Sequence, residues 1–168
     1  MMDFVSIPEE RMKILRANKK LIDRLESLVD VKIRLGEDVE IDSDDSLLVM
    51  CVKRVIKAFG RGFNFEDALL LLDDEYLLEI VDIKQFVGKS RSRMAELRGR
   101  VIGANGKTKN IIERLTDVKI SVYGKTVGII GRWASVQNAR EAIEMILQGR
   151  KHGSVYRFLE QKTAASVE

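Results

Sequence analysis

The sequence predicts an α+β protein made of two copies of one strand–helix–helix–strand–strand–helix unit, packed through a linking helix. Three observations carry this. A shift of 87 positions lays Arg16–Ile33 over Gly103–Ile120 without a gap, with 9 identities in 18 positions, a self-similarity far beyond chance. With one further residue of shift, Leu48, Cys51, Val55 and Ala58 fall on Val136, Ala139, Ile143 and Ile146, and their three-and-four spacing predicts one helix face in each copy. Finally, 168 residues with one proline and 45% hydrophobic content suit two small globular domains, 1–75 and 76–168.

In the first copy, Asp3–Ile7 reads as a strand that stops at Pro8, and Pro8-Glu9-Glu10 opens a helix whose apolar positions are Met12, Ile14 and Leu15. A second helix, 18–29, places Leu21, Ile22, Leu25 and Leu28 on one face. Residues 31–35 and 39–41 alternate with period two around Gly36 and predict a hairpin. The acidic run Asp42, Asp44, Asp45 precedes a helix that reaches Phe59; it reads as a cap. Residues 64–73 predict an extra helix whose Leu69–Leu72 run packs between the two units.

The second copy opens with a strand at 76–83 and a helix at 90–100. After a glycine-containing loop come a helix at 107–116, strands at 118–122 and 126–130, and a long helix from Trp133 to Gln148. Trp133 is expected to plug the core beneath the sheet. Gly149–Gly153 reads as a hinge, Ser154–Gln161 as a short helix and Thr163–Glu168 as a frayed tail.

The loop carries the chemistry. It runs Arg100-Val101-Ile102-Gly103-Ala104-Asn105-Gly106-Lys107. Two glycines three apart let the backbone turn sharply and approach a phosphate chain with no Cβ in the way. The helix behind them presents unpaired N–H groups at its positive end. This pattern resembles the G-x-x-G loop of a KH domain, a module that clamps about four single-stranded nucleotides. The first copy has Arg16-Ala17-Asn18-Lys19 there, so both glycines are lost, and its clamp is expected to be lost with them.

Charge follows the same division. Residues 1–75 hold 12 Lys and Arg against 17 Asp and Glu, a net of −5. Residues 76–168 hold 17 against 9, a net of +8, and only this half has the electrostatic footprint of a nucleic-acid binder. Lys107, Arg98, Arg100 and Arg91 are the candidate phosphate contacts, and Ile112 and Ile120 the candidate lining of a base groove. One His (His152) and one Cys (Cys51) leave little material for acid–base catalysis or a metal site. The expectation is a non-enzymatic protein with no cofactor and no metal. No apolar run reaches a membrane span, which predicts a cytoplasmic protein.

Beyond a generic KH domain of type I, the chain resembles the two-KH-domain ribosome-assembly proteins of archaea and eukaryotes, relatives of the yeast factor called partner of Nob-one. The resemblance rests on a degenerate first unit, the core Gly103-Ala-Asn-Gly106-Lys-Thr-Lys109, and a basic segment after Gly149. Lys109 stands where a generic KH motif has an apolar residue, and the family is similar in this. The resemblance implies single-stranded RNA as ligand, at the 3′ end of small-subunit ribosomal RNA, and cooperation with a PIN-domain endonuclease. The absence of a eukaryotic N-terminal extension points to an archaeal origin. The alternative is a protein-interaction adaptor, whose acidic first domain docks a translation or rRNA-processing factor.

Overall fold

The computed structural model describes residues 1–167, leaving Glu168 of the expected tail outside the described residues. The chain divides into two compact units, Met1–Asp74 and Glu75–Glu168. The first orders β1 (Met2–Val5), α1 (Glu9–Ala17), α2 (Lys20–Leu28), β2 (Lys32–Leu35), β3 (Val39–Asp42) and α3 (Ser46–Gly60), followed by α4 (Phe65–Leu69) and one 3₁₀ turn at Leu70–Leu72. The second orders β4 (Tyr76–Asp82), α5 (Lys84–Val87), α6 (Arg91–Ile102), α7 (Lys107–Thr116), β5 (Lys119–Tyr123), β6 (Thr126–Arg132), α8 (Trp133–Leu147) and α9 (His152–Val167). Each unit is a three-stranded antiparallel sheet with the last strand in the middle, β1-β3-β2 and β4-β6-β5. This is a mixed α/β, KH-like architecture.

Local chemistry explains the elements of the first unit. Strands β2 and β3 alternate: Ile33, Val39 and Ile41 are buried, whereas Lys32, Arg34 and Asp42 are exposed. Asp45 caps α3 by accepting from Leu47 N at 2.9 Å, a contact worth about 1 kcal/mol. Arg11 donates to the carbonyls of Phe59 and Phe63 at 2.9 Å each and lies over the Phe59 ring. It thus satisfies the end of the helix that Asp45 begins. The segment after Gly62 is not one helix. It folds as α4 and the 3₁₀ turn onto α3, burying Phe65, Ala68 and Leu71, with Arg54 donating to Leu71 O at 2.8 Å.

The core of the second unit gathers Val81, Ile120, Val127 and Ile129 from the strands against Leu97, Val101, Ile112 and Ile143 from the helices. Two polar ties recur in both units at equivalent places. Glu26 accepts from Ile33 N at 3.1 Å, and Glu113 from Ile120 N at 2.9 Å, each tying a helix to the edge strand. Asp3 pairs with Lys53 at 2.7 Å, and Glu79 pairs with Arg140, each joining the first strand to the last helix.

Three expectations need correction. The additional one-residue shift belongs to the middle strand, since Val39 and Ile41 match Val127 and Ile129 in register. The helix returns to 87: Val49, Val52, Ile56 and Phe59 are its buried face, over Val136, Ala139, Ile143 and Ile146. Cys51 is accordingly only half-buried. Trp133 does not plug the core; it is 67% exposed. The C-terminal segment is one helix, α9, from His152 through the expected tail to Val167.

Candidate nucleic-acid interface

The glycine loop takes the backbone conformation that its residues allow. Gly103 ends α6 at φ 76°, ψ 170°; Asn105 and Gly106 follow in the left-handed region at φ 55° and 76°. Asn tolerates that region through its short polar side chain, and Gly carries no Cβ to oppose it. The turn is closed by Gly106 N donating to Gly103 O at 3.1 Å. A Cβ on Gly103 would stand 2.7 Å from Thr108 N, so this position requires glycine for space as well as for φ.

Helix α7 then begins with no side-chain cap and no acid in its first turn, which reads Lys107-Thr108-Lys109. Lys107 N donates to Ala104 O, the helix dipole behind it favours an anion, and Ala104, Asn105 and Lys107 are exposed around this end. Lys109 is half-buried and lies 3.8 Å from Glu113, which partly neutralises it.

The structure separates the candidate cations. Arg98 and Arg100 lie in the last turns of α6, beside the loop. Arg100 spends one nitrogen on Arg150 O at 2.5 Å, and the Nε atoms of both arginines are buried without a partner. Arg91 begins α6, about 16 Å from its end at a rise of 1.5 Å per residue. It does not belong to the loop. Ile112 and Ile120 are corrected as well: at 0% and 4% exposure they are core residues without surface for a base. Sequence reasoning does not single out Thr108 or Tyr156. Tyr156 donates to Thr108 Oγ1 at 3.0 Å across 48 residues, and no periodicity encodes such a contact.

The first unit has a cleft at the matching place. About 340 Å³ in volume, it is lined by Arg16, Lys19, Asp23 and Glu26 and by the apolar Ile22, Ile33 and Leu35. Its loop is different. Helix α1 runs on through Ala17, and Asn18 takes φ −127°. Arg16, in place of the first glycine, pairs with Glu9 at 2.7 Å and donates to Gly36 O at 2.8 Å. Among the described residues, no group of three or more His, Cys, Asp and Glu could hold a metal ion, and no helix is long and apolar enough to cross a membrane.

Residues 77–164 match the family model for the second KH domain of PNO1, a eukaryotic-type KH domain of type I. A KH domain-containing protein of Methanocaldococcus jannaschii is 38% identical over 95% of this chain and 73% of its own length. The chain belongs to the PNO1 family. The pre-rRNA-processing protein PNO1 of Chaetomium thermophilum is 32% identical over 90% of this chain, which spans 62% of that relative. Among solved structures, a chain from the a/eIF2alpha–aDim2p–rRNA complex of Pyrococcus horikoshii superposes with a TM-score of 0.90 at 34% identity, covering 98% of this chain and 95% of its own. The part matched by the PNO1 family model runs from within β4 into α9 and includes the glycine loop.

Proposed function

We propose that this PNO1-family chain is a non-enzymatic factor that binds single-stranded RNA in small-subunit ribosome maturation, at the 3′ end of the small-subunit rRNA. The observation that carries this is the loop 103–107: an uncapped helix N-terminus behind two glycines, with Lys107 exposed beside it. Here the phosphate backbone approaches Gly103 and Gly106, the positive end of the α7 dipole and the Lys107 side chain draw phosphate oxygens, and Arg98 and Arg100 add charge behind them. The pre-rRNA-processing relatives and the rRNA in the Pyrococcus horikoshii complex support the reading.

In this reading the chain is a pair of tandem type I KH domains. Residues 1–75 form a degenerate copy without the glycine loop, and residues 76–168 form the clamp-bearing copy with its basic C-terminal extension. A translation factor and a PIN-domain endonuclease are the partner classes, the first supported by the a/eIF2alpha in that complex. The site of action is the cytoplasm.

Replacing Ala104 and Asn105 by Asp places two negative charges against the phosphate while keeping both glycines. Affinity for a short single-stranded RNA of the rRNA 3′ end should fall at least about tenfold, roughly 1.4 kcal/mol. Melting should stay unchanged, because both side chains are exposed. Binding equal to that of the parent would refute the clamp.

A further inference from the structure

Helix α9 is the one long element of the second unit with no counterpart in the six-element repeat. In the first unit, the residues after α3 form α4 and a 3₁₀ turn instead. Val155 and Leu159 of α9 are fully buried in the core of the second unit. Its polar side chains do something more specific: they hold both helices that flank the glycine loop.

At its start, His152 Nε2 lies 2.8 Å from Arg100 O, and Arg100 donates back to Arg150 O. The carbonyl of Arg100 is one of the last four of α6, which have no partner within their own helix. One turn on, Tyr156 donates to Thr108 Oγ1 in the first turn of α7. Near its other end, Thr163 Oγ1 lies 2.9 Å from Leu115 O in the last turn of α7 and 2.8 Å from Leu159 O in its own helix, its single hydrogen shared between them. The middle tie reaches the loop itself. Thr108 is 4% exposed, and its Cβ, Oγ1 and backbone N crowd the position where a Cβ on Gly103 would stand. The Tyr156 hydroxyl fixes the rotamer of the side chain against which the Gly103 backbone rests.

We propose that α9 is a brace that holds the glycine loop in its RNA-binding conformation, with Tyr156 as a positioning residue acting through Thr108. The inference rests on the clamp reading of the loop. Gly103, Asn105 and Gly106 all have positive φ, and glycine opens many other conformations to such a segment. Apparent affinity scales with the fraction of molecules already in the competent state. A loop ordered before binding also loses less entropy on meeting its ligand. The first unit does without a brace because its loop has no residue of positive φ to hold.

The test is Tyr156→Phe in the full chain, which keeps the ring in place and removes only the hydroxyl. Two readouts are needed: affinity for the single-stranded rRNA 3′-end oligonucleotide, and amide hydrogen exchange in the RNA-free protein. Affinity should fall roughly three- to tenfold, and exchange should quicken at 103–109 while staying unchanged in β4, β5 and β6. Thr108→Val should give a similar loss, and the double variant should be no worse than either single one, since both remove one interaction. Parent-like affinity and loop exchange in Tyr156→Phe would overturn the brace. Weaker binding with unchanged loop exchange would overturn it too, by making Tyr156 a direct RNA contact. Faster exchange throughout the sheet would reduce Tyr156 to a residue of general stability. If the Asp substitutions at 104 and 105 leave RNA binding unchanged, the clamp reading fails instead, whatever Tyr156→Phe does.

Discussion

The two units share one set of structural contacts and differ most at the loop between their first two helices, 16–19 in one and 103–106 in the other. Glu26 and Glu113 anchor the same edge strand, and Asp3–Lys53 and Glu79–Arg140 join the same strand to the same helix. At the loop they part. The second unit uses three positions of positive φ to turn sharply from α6 into α7. In the first, α1 runs on into the same stretch and Arg16 is tethered to Glu9 and Gly36. A fold can thus be retained by its internal ties while a loop on it is rewritten.

The strongest way to break this comparison is to give the second loop a side chain of the first. Gly103→Arg forces an L residue to φ 76° and drives its Cβ into Thr108. We expect RNA affinity to fall more than tenfold and stability to fall by about 1–3 kcal/mol, the cost of a strained backbone. Gly106→Lys, the matching change at the second glycine, has the same positive φ but nothing nearer than Asn110 at 3.8 Å. Its loss of stability should be smaller. Calorimetry beside RNA titration separates the two effects, and equal losses from both substitutions would refute the role given to Thr108.

Much of this is legible in the sequence because it is encoded locally. The duplication, the alternation of Lys32–Leu35 and the acidic cap before α3 all depend on neighbours within a few residues. The brace is not legible, because Tyr156 and Thr108 meet only in the folded chain. The register slip is hidden for a related reason. The second hairpin is one residue longer and its connection to the last helix one residue shorter, so the two changes cancel before α8. Trp133 misleads by its residue type: a large aromatic is usually inside, and this one stands exposed at a helix start. Ile112 and Ile120 belong to a groove-like pattern, and only the packing shows that they lie beneath its floor.

A gentler comparison uses charge. Lys107, Arg98 and Arg100 are beside the loop, whereas Arg91 is at the far end of the same helix. Replacing the first three by Gln should reduce the slope of log K against log salt by roughly 0.7 for each phosphate no longer neutralised, so about two units. Arg91→Gln should leave the slope in place, and a shift of equal size would return Arg91 to the interface. In the first unit, Lys19→Glu should weaken binding by less than about threefold, or roughly 0.6 kcal/mol. Its cleft has cations and an apolar floor, but Asn18 Oδ1 accepts from Lys20 N at 3.3 Å and Asp23 stands in the first turn of α2, both opposing a phosphate there.

The smallest effects test the half of the comparison that says the units are alike. Lys53→Met and Arg140→Met each remove the cation from one of the twin ion pairs, and RNA binding should be unaffected by either. Both pairs are partly exposed, where solvent screening leaves such contacts weak. Arg140→Met should cost more, since Arg140 also binds Glu144 at 2.8 Å. The first pair carries a pH signature. The hydrogen bond from Lys53, helped by Phe4 N, holds the Asp3 carboxyl below its ordinary range. A carboxylate whose pKa is lowered by folding stabilises the folded state above its unfolded value, and that contribution is lost as pH falls through the folded one. The difference in melting temperature between parent and Lys53→Met should therefore be present at neutral pH and shrink in acid below the usual carboxylate range. A difference that persists unchanged there would mean that Lys53 stabilises the strand through its packed stem rather than through its charge.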